Sequence, residues 1–200
     1  VDDPCAFEPV LFVVDRTDIV AADWDAYREA IVERVDAMPD TMYGFMPYPM
    51  AFGCPEGLPK APQEPIGKVT SADIERWFNE TISSAGEAPL ERVFESILKR
   101  VEENFAGRPA RVILISAGRA TCGTDLSRLT NIVATLHADY DIQTYVLAHR
   151  VTPTAVNPTL SAIVEAGGSG WGDFERTYYA SAISQAIERA LTDLETCPTL

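Results

Sequence analysis

The chain lacks long apolar runs and has little positive charge. No segment approaches the roughly 18 apolar residues that cross a bilayer, and the amino end has neither the basic nor the apolar block of a signal peptide. We therefore expect any export signal or anchor to be absent from this chain. Sixteen Lys and Arg stand against 30 Asp and Glu, a formal net charge of −14. Nucleic acid and anionic membrane surfaces would be repelled, so basic or neutral partners fit better.

Motifs for nucleotide binding and for common forms of catalysis are also missing. No Gly-x-Gly-x-x-Gly turn follows the first predicted strand, and there is no Gly-Lys-Ser/Thr phosphate loop. The serines lack a Gly-x-Ser-x-Gly elbow. We interpret the two histidines, His137 and His149, as surface or helix-end residues. The sequence therefore predicts no enzyme and no cofactor.

The four cysteines have no Cys-x-x-Cys spacing, which, with only two histidines, disfavours a zinc site. Cys5 and Cys197 flank the first and last predicted segments, as a staple between the chain ends would, and Cys54 and Cys122 lie in polar, Gly-containing loops. We pair them in that way, although three connectivities are open. Disulfides indicate an extracellular, periplasmic or outer-surface location. The alternatives are four free buried thiols in a cytosolic protein, or Cys122 as a nucleophile, which a disulfide would silence.

Predicted strands and helices alternate along the chain. Residues 10–14 and 112–115 are apolar runs typical of buried parallel strands, and residues 142–147 are rich in β-branched and aromatic residues. Apolar periodicity predicts helices over residues 23–38 with Asp23 as N-cap, 71–83 with Thr70 supplying a capping hydroxyl, 89–105, 126–136, 159–166 and 183–194.

The segments between these elements complete the prediction. Residues 177–179 are predicted as an edge strand. Six prolines between residues 47 and 65 are expected to exclude regular structure. The alternation predicts one α/β domain over residues 1–200, with a doubly wound, mostly parallel central sheet and helices on both faces.

Polar residues that follow the predicted strands resemble the motifs of a von Willebrand factor A-type domain, a fold also found in integrin inserted domains and in many exported bacterial proteins. The family has Asp-x-Ser-x-Ser after its first strand, Gly-Thr-Pro-Leu at a helix entry and Thr-Asp-Gly after its central strand. The corresponding segments here are Asp15-Arg16-Thr17-Asp18-Ile19, Glu87-Ala88-Pro89-Leu90 and Ser116-Ala117-Gly118. Thr121-Cys122-Gly123 and residues 163–168 before Tyr178-Tyr179 resemble bacterial members, so the match covers almost the whole chain.

Carried over to this chain, the family's metal-ion-dependent adhesion site is degraded. Asp15 and Thr17 keep a carboxylate and a hydroxyl, whereas Ile19, Ala88 and Ala117 replace three oxygen ligands. Mg²⁺ requires about six oxygens in near-octahedral geometry. We therefore expect a vestigial site that holds no metal.

Asp15 then needs another role. We interpret it as a cap that accepts backbone N–H groups of its own turn, with Arg16 or Arg119 neutralising its charge. The alternative is a rebuilt, metal-dependent site that takes oxygens from Asp18, Glu87, Thr121 or Asp125.

The resemblance implies a non-enzymatic protein-binding or adhesion module of an exported bacterial surface protein. We expect the partner to meet Arg119 and apolar anchors on the proline-rich loop, namely Tyr48, Met50, Phe52 and Leu58, because prolines reduce the entropy lost on docking. The alternatives are that these side chains fold onto the domain's own core, or that the chain is a structural subunit of a surface assembly. The sequence does not specify the partner, the oligomeric state or a lipid anchor.

Overall fold

A six-stranded sheet forms the centre of the computed structural model, which describes residues 8–17, 20, 22–49, 64–81, 87–152 and 157–192. The strands are β1 (Val10–Asp15), β2 (Met42–Tyr48), β3 (Glu64–Lys68), β4 (Ala110–Ser116), β5 (Ile142–His149) and β6 (Glu175–Thr177). Their order across the sheet is β3-β2-β1-β4-β5-β6. Only β3 runs antiparallel to its neighbour among these strands.

Helices cover both faces of the sheet. Within the described ranges they are α1 (Trp24–Ala37), α2 (Ser71–Glu80), α3 (Leu90–Lys99), α4 (Val101–Phe105), α5 (Leu126–Tyr140), α6 (Pro158–Ala166) and α7 (Ala180–Leu191). One apolar core packs α3, α4, α5 and α6 on the sheet, and the other packs α1, α2 and α7. Successive side chains of β1 enter opposite cores, with Leu11 and Val13 on one side and Phe12 and Val14 on the other. The doubly wound α/β prediction is confirmed.

The prolines limit regular structure less than the sequence predicts. β2 continues through Pro47, and β3 contains Pro65, so the predicted irregular stretch is wrong at both of its ends. Pro47 lies beyond Phe45, the last β2 residue in register with β3, and Pro65 lies on an edge strand. A missing N–H is tolerated at positions where no neighbouring strand needs a donor.

Two helix predictions also need correction. The single helix expected over residues 89–105 is divided at Arg100, whose φ of −120° and ψ of 22° separate α3 from α4. Asp23 precedes α1, but its side chain makes no cap hydrogen bond. By contrast, Thr70 and Asp73 form a reciprocal capping box at α2, so the hydroxyl cap predicted there is confirmed.

The other predicted strands and helices are present, but several of them begin or end at different residues. The expected edge strand lies at Glu175–Thr177, and the last helix is Ala180–Leu191. Leu126, the first residue of α5, is exposed. No helix in the described ranges combines the length and apolarity needed to span a membrane.

Candidate functional site

The carboxyl ends of β1 and β4 lie side by side and bring Asp15 next to Ala117. Asp15 is the last residue of β1 and is fully buried. Its Oδ1 accepts the backbone N–H of Thr17 at 2.9 Å, and its Oδ2 accepts the backbone N–H of Ala117 at 3.0 Å. The interpretation of Asp15 as a cap for backbone N–H groups is therefore confirmed. The bond to Ala117 also ties the end of β1 to the loop that follows β4.

Burial raises the pKa of Asp15 above its ordinary value of 3.8. The N–H groups of Ala117 and Thr17, the Thr17 side chain and the positive charge of Arg119 lower the pKa by smaller amounts. Arg119 therefore acts on Asp15 through its charge, as expected. Arg16 uses its guanidinium Nε to donate a hydrogen bond to the carbonyl of Pro49.

The other positions of the expected metal site carry carbon rather than oxygen. Ala88 is fully buried, and its segment is fixed by Thr121: the Ala88 N–H donates to Thr121 Oγ1 at 2.6 Å, and the Thr121 N–H donates to the Ala88 carbonyl at 3.1 Å. Ala117 contributes only its N–H, and Ile19 lies outside the described residues. Asp125, one of the possible replacement ligands, caps α5 by accepting the N–H groups of Ser127 and Arg128.

These residues do not fit a hard cation that requires about six oxygens, because Ala88 and Ala117 add no side-chain oxygen to Asp15, the one carboxylate that is buried among the described residues. Across the described ranges, no group of three or more His, Cys, Asp or Glu side chains lies where it could hold a metal ion.

The loop after β4 is held in one shape. Gly118 has a φ of +78°, a conformation that favours glycine. Its N–H donates to Ser116 Oγ at 3.1 Å, and its carbonyl accepts Nδ2 of Asn157 at 2.7 Å. A Cβ at Gly118 would lie 2.3 Å from Asn157 Nδ2. Arg119 follows directly and is exposed, so an exposed cation projects from a fixed loop.

One predicted partner-binding residue is misplaced. Tyr48 is only 1% exposed and belongs to the core beside Met46, so its prediction as a surface anchor is wrong. Its hydroxyl faces the Ile115 carbonyl at 3.5 Å, and burial raises its pKa. The alternative, that this side chain folds onto the domain's own core, holds for Tyr48. Met50, Phe52 and Leu58 lie outside the described residues.

A buried polar cluster joins α1 to the ends of β5 and β6. Tyr27 Oη lies 2.9 Å from His149 Nδ1 and 2.7 Å from Thr177 Oγ1. Asp23 Oδ2 lies 3.1 Å from His149 Nε2 and 2.7 Å from Arg150 Nη2. Burial raises the pKa of Tyr27, and the charges of Asp23 and Asp15 raise it further. This cluster is therefore electrostatically connected to the Asp15 position.

The interpretation of His149 as a surface residue is wrong, because its side chain is fully buried. The alternation of side-chain directions along β5 could have predicted the burial of His149. Tyr145 and Leu147 face the core beneath α1 and α7, and His149 is the next residue of that face. The same cluster explains why Asp23 does not cap α1: its carboxylate is turned towards His149 and Arg150.

Cys122 adopts a φ of +63° on the turn before α5 and is not a free thiol. Cys5, Cys54 and Cys197 lie outside the described residues. The pairs Cys5–Cys197 and Cys54–Cys122 therefore stay predictions.

The sheet order and the two helical layers form a fold similar to that of von Willebrand factor A-type domains, as the resemblance implies. No family model matches the chain, and no curated protein matches its sequence significantly. Solved structures do match it, at identities that show the fold alone.

Three of these structures illustrate the match. The pilus adhesin SpaC of Lactobacillus rhamnosus GG has 11% identity and a TM-score of 0.63, over 94% of this chain and 30% of the adhesin. Proximal thread matrix protein 1 of the mussel byssus has 15% identity and a TM-score of 0.67, over 95% and 47%. An aerotolerance-related membrane protein of Bacteroides fragilis has 13% identity and a TM-score of 0.62, over 93% and 99%. This chain thus spans less than half of the adhesin and of the mussel protein.

Proposed function

We propose that this chain is a non-enzymatic protein-binding module that works without a metal ion. The observation that carries the proposal is the surroundings of Asp15, whose two oxygens each accept a backbone N–H. A cation at this position would find methyl groups at Ala88 and Ala117 where it needs oxygen ligands. The carboxylate instead connects two loops.

Structural neighbours support the protein-binding part of the proposal. One is a pilus adhesin and another a thread matrix protein, and in one structure of the matrix protein zinc occupies the MIDAS motif. We place the binding surface of this chain at the carboxyl edge of the sheet, where the loops after β1, β4 and β5 meet. In open α/β sheets, ligands bind beyond this edge.

The described residues offer little for catalysis. His149 is fully buried, and Cys122 is not a free thiol. We infer a location outside the cytoplasm, on a bacterial surface or in the periplasm, because the proposed cysteine pairs persist only in an oxidising compartment.

The metal-free part of the proposal is tested by thermal unfolding in EDTA and in millimolar Mg²⁺, Mn²⁺ or Ca²⁺. We expect the unfolding midpoint to be the same in all four solutions. A cation present at one hundred times its Kd would add about 2.7 kcal/mol, which raises the midpoint of a domain of this size by roughly 5–10 °C.

Asp15→Ala serves as the matched variant. Each protein is compared with itself with and without cation, so a lower stability of the variant does not obscure the result. A cation-induced rise in the wild type that disappears in Asp15→Ala would overturn metal independence and favour a rebuilt, metal-dependent adhesion site.

A further inference from the structure

Arg111, near the start of β4, is a buried cation that is only 4% exposed. Ile113 and Ile115 lie on the same face of β4 and belong to the core beneath α1, α2 and α7, so the Arg111 side chain lies on the side of the sheet that α7 covers. Its guanidinium is 5.3 Å from the centre of the Tyr145 ring, which belongs to the same core. A cation buried this deeply requires a partner of opposite charge and acceptors for its N–H groups.

The partners of Arg111 come from two segments that are far apart in the sequence. On one side are Glu8 and Pro9, just before β1, which we call the strap. Arg111 Nε lies 2.9 Å from Glu8 Oε2, and the Arg111 backbone N–H donates to the Pro9 carbonyl at 2.9 Å. On the other side, Arg111 Nη1 donates at 2.8 Å to the carbonyl of Ala190, in the last turn of α7. One buried side chain therefore joins the strap to the end of α7.

The end of α7 requires the contact with Arg111. The last four carbonyls of an α-helix have no partner within the helix. Ala190 is fully buried and α7 ends at Leu191, so the Ala190 carbonyl needs a donor from another element, because an unsatisfied buried carbonyl is unfavourable. A positive charge is also favourable at the carboxyl end of a helix. Arg111 supplies both the donor and the charge.

The bond from Arg111 to Ala190 depends on Glu8, although Glu8 is not part of α7. Among the described residues, Glu8 is the one carboxylate that forms an ion pair with Arg111. Without it, the guanidinium would be a buried charge with no counter-ion, which is strongly unfavourable. The Glu8 side chain is 40% exposed, so water lies close to the Arg111 side chain at this point. A guanidinium that turned towards that water would be solvated, but it would no longer donate to Ala190.

We propose that the strap holds the end of α7 in place through Arg111. Displacement of the strap frees the last turn of α7, while the strands stay paired. The strap and Arg111 lie at the amino ends of β1 and β4, opposite the proposed binding surface. This conformational device therefore does not rest on the proposed function.

The test compares amide hydrogen exchange, measured by NMR, in two single variants. Glu8→Gln removes the charge of the strap and keeps the length of the side chain. Glu175→Gln is the matched control, because it also removes one carboxylate from an arginine, Arg189 of α7, in a pair whose side chains are both well exposed. The amides of α5, on the other face of the sheet, are the reference.

The two variants should differ at the end of α7. Relative to the reference, we expect exchange of the amides of residues 188–191 to rise at least about tenfold in Glu8→Gln, because a hydrogen bond from a buried charged group is lost. In Glu175→Gln we expect a rise of less than about threefold, because an exposed ion pair contributes little.

A double-variant cycle tests whether the effect passes through Arg111. In Arg111→Met, the last turn of α7 should exchange at least as fast as in Glu8→Gln, and adding Glu8→Gln to Arg111→Met should cause no further rise. If Arg111→Met does not fold, the comparison of Glu8→Gln with Glu175→Gln decides the proposal by itself.

Three results would each overturn the proposal. The first is a rise in Glu8→Gln that is no larger than the rise in Glu175→Gln. The second is an equal rise over α5 and α7 in Glu8→Gln, which would mean that Glu8 stabilises the whole domain rather than one helix end. The third is an effect of Glu8→Gln that persists in Arg111→Met.

Discussion

At the scale of single residues, the buried groups Asp15 and His149 are held by different kinds of contact. Asp15 accepts two backbone N–H groups, whereas His149 lies between the Tyr27 hydroxyl and the Asp23 carboxylate. Asp15 thus depends on backbone groups of two loops, its own and the one after β4, and His149 depends on side chains from other elements.

The raised pKa of Asp15 predicts a specific dependence of stability on pH. The folded-state pKa lies above the ordinary 3.8, so the folded protein binds this proton more tightly than the unfolded chain does. The resulting stabilisation is fully present below the unfolded pKa and is lost as the pH rises through the folded pKa. Relative to Asp15→Asn, the wild type should lose free energy of unfolding between acidic and neutral pH. Urea unfolding over a pH series measures this difference.

Asp73 provides a control of opposite sign. Hydrogen bonds from the Thr70 backbone and side chain lower its pKa, so its stabilisation is present above the unfolded pKa and is lost as the pH falls. Relative to Asp73→Asn, the wild type should therefore gain stability with rising pH. The same slope for both pairs would contradict our assignment of Asp15 as a carboxylate disfavoured by burial.

The hydroxyl of Tyr27 should matter more than an ordinary buried hydroxyl. Tyr27→Phe keeps the ring but removes the partner of both His149 Nδ1 and Thr177 Oγ1, and leaving buried polar groups unsatisfied costs about 1–3 kcal/mol each. Tyr43→Phe is the control, because that buried hydroxyl donates to the Met38 carbonyl at 3.3 Å and lies outside the cluster. Urea unfolding should show the larger loss for Tyr27→Phe. Equal losses would mean that the cluster contributes no more than one hydrogen bond.

At the scale of elements, the connection between α6 and β6 depends on close packing. Gly168 bridges to Thr144 of β5 with a φ of +65°, and a Cβ there would lie 2.2 Å from the His137 ring. Gly170 has a similar φ of +72° but open space around it. Gly170→Ala therefore measures backbone strain alone, and Gly168→Ala should cost about 1–3 kcal/mol more because of overpacking. Equal costs in urea unfolding would mean that the His137 ring moves aside freely.

Helices were more predictable from the sequence than β3, the edge strand beside β2. The periodicity of Val93, Phe94 and Ile97 arises from the same burial that the structure shows, so a local pattern reports a local cause. β3 has no such pattern, because it is short, contains Pro65 and takes its conformation from β2. β3 forms because β2 lies beside it, and the sequence of β3 alone does not show that pairing.

At the scale of the whole molecule, alternation predicted the three-layered fold, a sheet between two layers of helices, but not the contacts at the edge of the sheet. The positions of Asp15, Ala88 and Ala117 followed from the resemblance, since each follows or precedes a recognisable element. The Asn157 contact that fixes Gly118 joins residues 39 positions apart. Such a contact depends on how the helices pack against the sheet. The spacing of residues in the sequence does not reveal that packing.

The two outer strands also affect how copies of this protein behave when crowded. β3 carries Pro65 and an exposed Lys68, and β6 has only three residues. Proline, lysine and short length at sheet edges each discourage the pairing of strands between molecules. The sheet therefore resists the edge-to-edge aggregation that leads to fibres, even where many copies of the domain lie close together.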